Sequence, residues 1–176
     1  SLNIETKLFC EKTLGKKHPQ YINSLTNLAI LYFNIANYEL AEPLFNESLA
    51  LREEIYGKEH PDYAASLNNL GNLYMTMGNF IVAEPLFSEA KKINGKILGK
   101  QHSDYVMNVE NLGALNWRMG NYSKAELYFV EAKEILETTL GREHPDYANI
   151  VDNLARLYQT LGNYKKAEIL MLESIA

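Results

Sequence analysis

The sequence predicts an all-α fold, a solenoid of antiparallel helix pairs, and three observations predict it. First, His18, His60, His102 and His144 stand 42 residues apart. The same period links Leu28, Leu70, Leu112 and Leu154, and again Ala41, Ala83, Ala125 and Ala167. A fixed period of a few tens of residues marks an array of stacked units, each touching only its neighbours, and not one wrapped core. Second, apolar and small residues recur at helical spacing in both halves of each unit, as in Leu67, Leu70, Gly71 and Tyr74, then Ala83, Phe87 and Ala90. That spacing gives amphipathic helices. Third, turn residues punctuate the chain at fixed places. Gly78-Asn79, Gly120-Asn121 and Gly162-Asn163 separate the two halves, and Gly15, Gly57, Gly99 and Gly141 precede each histidine by three residues.

Taken in order, residues 2–14 correspond to the second helix of a preceding unit. First helices are predicted at 19–35, 61–77, 103–119 and 145–161, and second helices at 38–56, 80–98, 122–140 and 164–176. The whole of 1–176 reads as one array: a partial unit at 1–15, then units at 18–57, 60–99, 102–141 and 144–176, the last truncated. Pro19, Pro61 and Pro145 suit a first helical turn, where the missing N–H has no partner to lose. The first unit has Ala36-Asn37 in place of Gly-Asn, and Asn37 is expected to take the left-handed conformation there. Pro43 and Pro85 fall inside second helices, where each removes a backbone hydrogen bond and favours a bend. Leu127 and Ile169 at the same register predict straighter helices. Ala29, Gly71, Gly113 and Ala155 are small where the partner helix approaches, and Phe45, Phe87, Phe129 and Met171 fill the space beside them.

The net charge of −5 argues against a nucleic-acid surface, which needs clustered cations. Cys10 is the only cysteine, so no internal disulfide forms, which fits a reducing, cytoplasmic setting. No run of about 18 apolar residues provides a membrane span, and the first residues lack a secretory signal's basic-then-apolar order.

The four histidines invite a metal or general-base reading. Stacked units place equivalent residues on the order of 10 Å apart, whereas zinc needs ligands at about 2 Å. The Pro and Asp that follow them read as a helix start, so their predicted role is structural. Cys10 lacks a partner thiol and a nearby helix N-terminus and reads as a spectator. The glycines are separated by whole helices and form no phosphate loop. Glu42, Glu84, Glu126 and Glu168 form either a solvated face or partners for a neighbouring unit. No catalytic residue, metal ligand or cofactor site is expected.

The residues Leu67, Leu70-Gly71, Tyr74, Ala83, Phe87 and Ala90 resemble the tetratricopeptide repeat. Its usual period is about 34 residues. The longer form seen here, with HPDYA, GN and AEPLF, is similar to kinesin-light-chain repeats and to arrays in bacterial signalling proteins. The resemblance covers essentially the full chain. It implies a right-handed superhelical solenoid whose first helices line a concave groove. Carried over, the groove positions are Asn23, Thr26, Asn27, Ile30, Phe33 and Asn34 in the first unit and Ala65, Asn68, Asn69, Asn72, Met75 and Thr76 in the second. The third contributes Met107, Glu110, Asn111, Ala114, Trp117 and Arg118, and the fourth Asn149, Asp152, Asn153, Arg156, Gln159 and Thr160.

Asn27, Asn69, Asn111 and Asn153 form a ladder in that groove. An amide offers donors and an acceptor, so it can bond both N–H and C=O of an extended peptide, as this asparagine often does in the resembling families. Alternatively each ties adjacent helices together. Phe33, Met75 and Trp117 stand at groove positions either as apolar anchors for a ligand or as core. Arg118 and Arg156 are expected to face Glu110 and Asp152. Relatives that hold a chaperone's terminal carboxylate use cations where this chain has Asn23, Thr26, Ala65 and Asn68, so that ligand is not expected. Acidic cargo motifs also call for basic grooves, and only Arg118 and Arg156 qualify.

The expected function is binding a peptide or protein segment in the groove without catalysis, with neither nucleic acid nor membrane as partner. The alternatives are a spacer or self-association scaffold, and a regulatory sensor segment of a larger enzyme or signalling protein. Leu170 and Leu172, with no helix after them, suggest an excised piece of a longer array whose ends could stack.

Overall fold

The structure, a computed structural model, describes residues 2–174, with side chains over 5–174. Those residues form nine helices and no strand. They are α1 (Leu2–Leu14), α2 (Pro19–Asn34), α3 (Tyr38–Tyr56), α4 (Pro61–Thr76), α5 (Phe80–Ile97), α6 (Ser103–Arg118), α7 (Tyr122–Thr139), α8 (Pro145–Thr160) and α9 (Tyr164–Ser174). The chain is therefore the all-α repeat array that the sequence predicts. Residues 175 and 176, assigned by the periodicity to the last helix, lie outside the described residues. Two compact units divide the chain, Ser1–Ile93 and Asn94–Ala176. In the first, α1 packs on α2, α2 on α3 and α3 on α4; in the second, α6 packs on α7, α7 on α8 and α8 on α9.

The helix starts follow from the histidines. His18, His60, His102 and His144 each sit at an N-cap in extended backbone, and each Nδ1 accepts the N–H two residues on, at 3.2, 3.1, 3.2 and 3.2 Å. One otherwise orphaned helix donor is satisfied each time. The backbone of the same residue closes the preceding turn, as His102 N–H donates to Gly99 O at 3.3 Å and His18 N–H to Gly15 O at 3.2 Å. Among the described residues no three His, Cys, Asp or Glu side chains lie close enough together to hold a metal ion.

The first helices stop one residue earlier than predicted, because Ile35, Met77, Met119 and Leu161 are already C-caps. Gly78, Gly120 and Gly162 follow them at φ 79°, 77° and 73°. In the first turn of this kind the left-handed residue is Ala36, φ 57°, and not Asn37. Asn37 instead N-caps α3 at φ −89°, its Oδ1 accepting Leu40 N–H at 3.3 Å. The register decides: the asparagine is one place past the glycine position, where the next helix needs a cap.

The core of each unit is built where small residues meet aromatics. A Cβ on Gly71 would lie 2.6 Å from Phe87 Cε1, and one on Gly113 would lie 2.5 Å from Phe129 Cε1. These two glycines are thus required by contact. Phe87 and Phe129 are fully buried, and each contributes about 1.5–3 kcal/mol by leaving water. Cys10 is buried against Tyr21 and Leu25. Pro43 and Pro85 lie within α3 and α5, which run through them as single helices.

Candidate functional site

The polar residues predicted for the groove divide into spent and unspent. Thr26 and Asn68 are buried, although both were expected at the ligand face. Thr26 Oγ1 donates to Ile22 O at 3.1 Å and meets Ser48 Oγ, on the neighbouring second helix, at 2.9 Å. Asn68 is engaged within the fold. Asn23 is engaged too, accepting from Arg52 Nη2 at 3.3 Å.

The asparagine ladder behaves differently. Asn27 is exposed, and Asn69, Asn111 and Asn153 are half-buried. Asn27, Asn69 and Asn153 make no side-chain hydrogen bond within the described residues, whereas Asn111 is engaged. Asn72, one turn beyond Asn69 on α4, is half-buried and likewise unbonded among the described residues. No side-chain hydrogen bond among the described residues ties Asn27, Asn69 or Asn153 to a neighbouring helix.

The apolar row is partly core. Trp117 is half-buried and sets its edge on Phe129, centroids 6.4 Å apart at 87°. Phe33 leans on Tyr38 at 5.9 Å. Met75 is half-buried. Each still shows part of its surface to solvent.

The expected charge pairing holds once. Arg156 Nε bonds Asp152 Oδ2 at 2.8 Å, one turn apart on α8. Glu110 does not pair with Arg118. Eight residues along a helix is about 12 Å, too far for an ion pair, and Arg118 is engaged elsewhere. Glu110 instead lines a cavity of about 410 Å³ in the second unit. Its floor is Val106 and Leu136, both buried, and its rim includes Met107, Leu140, Asp146 and Asn149. Burial, and then the negative charge of Asp146, push the Glu110 carboxyl up to about 7.

One recurring feature, a set of tyrosine–glutamate hydrogen bonds, was foreseen only in part, as a possible role for Glu42 and Glu126. Tyr21 donates to Glu47 at 2.9 Å and Tyr105 to Glu131 at 2.6 Å, each joining the two helices of one pair, as Tyr147 and Glu173 also do. Tyr74 donates to Glu42 at 2.6 Å, and Tyr158 to Glu126, joining successive pairs. Glu42 and Glu126 are thus partners for the neighbouring repeat, not a solvated face. Burial and the adjacent carboxylate push the Tyr158 hydroxyl up to about 12. The 26- and 32-residue spacings of Tyr and Glu were the available signal.

Comparison with known proteins fits this architecture. The family model for the tetratricopeptide repeat matches residues 5–54, 31–96, 62–138 and 105–176. The chain belongs to the tetratricopeptide repeat family. No curated protein matches it by sequence. Among solved structures, BtubC (BKLC) from P. vanneervenii is similar at TM-score 0.85 and 24% identity, over 98% of this chain and 69% of that one. At that identity the likeness is one of fold. The putative kinesin light chain nearly identical TPR-like repeats of Podosopora anserina align at TM-score 0.80 and 25% identity, over 98% of this chain and 82% of that one. A single-residue variant of the same repeats gives 0.82 and 26% over the same shares. Tetratricopeptide repeats commonly serve as protein-interaction scaffolds. Among the described residues no helix is long and apolar enough to cross a membrane.

Proposed function

We propose that this tetratricopeptide array binds an extended peptide or protein segment along its first helices, and that it does so without catalysis. The observation that carries the reading is the unspent amides of Asn27, Asn69 and Asn153. A half-buried amide with no partner in its own fold gains most when a peptide supplies N–H and C=O groups. Phe33, Met75 and Trp117 supply apolar area beside them, and Asn72, Asn111, Glu110, Arg118, Asp152 and Arg156 set specificity. The lone, buried Cys10 fits a cytoplasmic setting.

A peptide array of random sequences probed with the whole chain tests this. Retention of a sequence-related set is expected, with Asn69→Ala plus Asn153→Ala weakening it by about tenfold or more, roughly 1.4 kcal/mol, at unchanged helicity. No retained peptides, or undiminished affinity in the folded variant, overturns the reading. A spacer would retain none.

A further inference from the structure

The 42-residue register allows one place in the compact unit Ser1–Ile93 to be compared with its equivalent two repeats on, in Asn94–Ala176. In the first unit the place between α2, α3 and α4 is filled by Arg52. The Arg52 side chain is buried; Nη1 donates to Ser66 Oγ at 2.8 Å and to Asp62 O at 3.2 Å, and Nη2 to Asn23 Oδ1 at 3.3 Å. Burial pulls this guanidinium below its ordinary pKa, and the charge of Asp62 opposes that.

Eighty-four residues on, the register places Leu136 at the position of Arg52, Asp146 at that of Asp62, Met107 at that of Asn23, the buried Ile150 at that of Ser66, and Glu110 at that of Thr26, a neighbour of Ser48. Between α6, α7 and α8 this place is the cavity of about 410 Å³ described above. The plug has been shortened to a leucine on its floor. A neutral hydroxyl has become a carboxylate. Glu110 has no hydrogen bond or ion pair among the described residues.

The other charged groups around it are Asp104 and Asp146, which also line the cavity, with His102 and His144 behind them. Each of these imidazoles accepts a backbone N–H at Nδ1. The nitrogen that accepts it is the one 3.6–3.7 Å from the aspartate carboxylate, so it has no hydrogen to give that carboxylate. The wall formed by Leu136 and Thr139 of α7 and by its C-cap Leu140 brings no charge. The cavity thus combines an apolar floor with three carboxylates and no facing cation.

We propose that this cavity receives the side chain of an arginine from the bound segment, with its guanidinium on Glu110. The aliphatic stem lies over Val106 and Leu136, and a planar fork matches a carboxylate better than an ammonium does. This specifies the ligand of the proposed function and rests on that reading. It makes the preferred partner a basic segment, opposite in charge to an acidic cargo motif.

The test uses the whole chain at pH 8 with N-acetyl-arginine amide as probe, followed by amide-resolved NMR. Saturable shifts are expected on α6, at the start of α8 and at the end of α7, about tenfold weaker with the citrulline analogue and weaker with the lysine analogue. Glu110→Gln should lose about tenfold in affinity. Leu136→Arg, which refills the place in cis, should abolish the shifts; if that variant misfolds, Glu110→Gln alone decides. Equal affinity for arginine and citrulline, shifts elsewhere, or undiminished binding by folded Glu110→Gln overturns the inference. Failure here while Asn69→Ala plus Asn153→Ala still weakens peptide retention leaves the proposed function standing. Arginine binding with no peptide retention does the reverse.

Discussion

Glu110 makes the fold less stable as pH rises through the neutral range, and Glu110→Gln should remove that dependence. The carboxyl is held at about 7 against an ordinary value of 4.5. Between those pH values the folded chain keeps a proton that the unfolded chain has released, so stability falls as pH rises. The contribution is fully present below about 4.5 and lost above about 7. A shift of that size corresponds to roughly 3 kcal/mol, and the residual solvent contact of Glu110 reduces it to about 2 kcal/mol. Glutamine imitates the protonated acid. The variant should therefore match the parent chain at pH 4 and exceed it at pH 8 by about 2 kcal/mol, or about 4–8 °C in Tm for a chain of this size. Thermal unfolding followed by circular dichroism from pH 4 to 8.5 measures the difference. Asp146→Asn should recover the smaller share, because burial is the larger cause. A gap between variant and parent that is constant with pH would refute the assignment.

Three further substitutions follow from the packing. Ala36→Gly should stabilise the chain by about 1 kcal/mol, since a left-handed non-glycine residue costs about 1–2 kcal/mol and the glycine returns part of that as entropy; a lower Tm would count against the φ of 57°. Gly113→Ala should destabilise by about 1–3 kcal/mol, because the added Cβ meets the buried Phe129 ring at 2.5 Å; urea unfolding reads it, and a neutral effect would mean the ring moves freely. Asn94 Nδ2 donates to Asn108 Oδ1 at 2.7 Å in the core, while Asn94 Oδ1 has no partner among the described residues. One repeat later the same positions are Leu136 and Ile150, both buried. Asn94→Leu together with Asn108→Ile should therefore be stabilising by about 1 kcal/mol and Asn94→Leu alone unfavourable, compared by urea midpoint.

The helices were legible because their punctuation is chemical. His-Pro at the start and glycine near the end leave few choices for the backbone, so even the one-residue errors fall at caps. The substitution of Ala36 for glycine misled, because asparagine is the usual second choice for a left-handed residue, and the neighbouring N-cap also wanted it. The site was less legible. Polar residues on a first helix look alike in sequence whether they meet solvent or a hydroxyl on the next helix. Thr26 met Ser48 and was spent, and Asn27, one place on, was not. Leu136 carried no signal of its own, since its length relative to Arg52 matters only once both are placed in the same three-helix setting.

That comparison changes what a deviation from the repeat means. Thr26 to Glu110 taken alone would be a surface charge of little consequence. Arg52 to Leu136 taken alone would be an improvement in packing, a buried guanidinium exchanged for an apolar side chain. Occurring in the same three-helix setting they reverse its electrostatics, from a cation whose donors are met at Asn23, Asp62 and Ser66 to a carboxylate with nothing opposite it. An unpaired, half-buried carboxylate beside Asp146 is costly to the fold at neutral pH, and packing gives no reason to keep it. A ligand that brings its own cation supplies one: the same group that destabilises the empty array becomes, once a guanidinium arrives, the strongest polar contact the cavity can make.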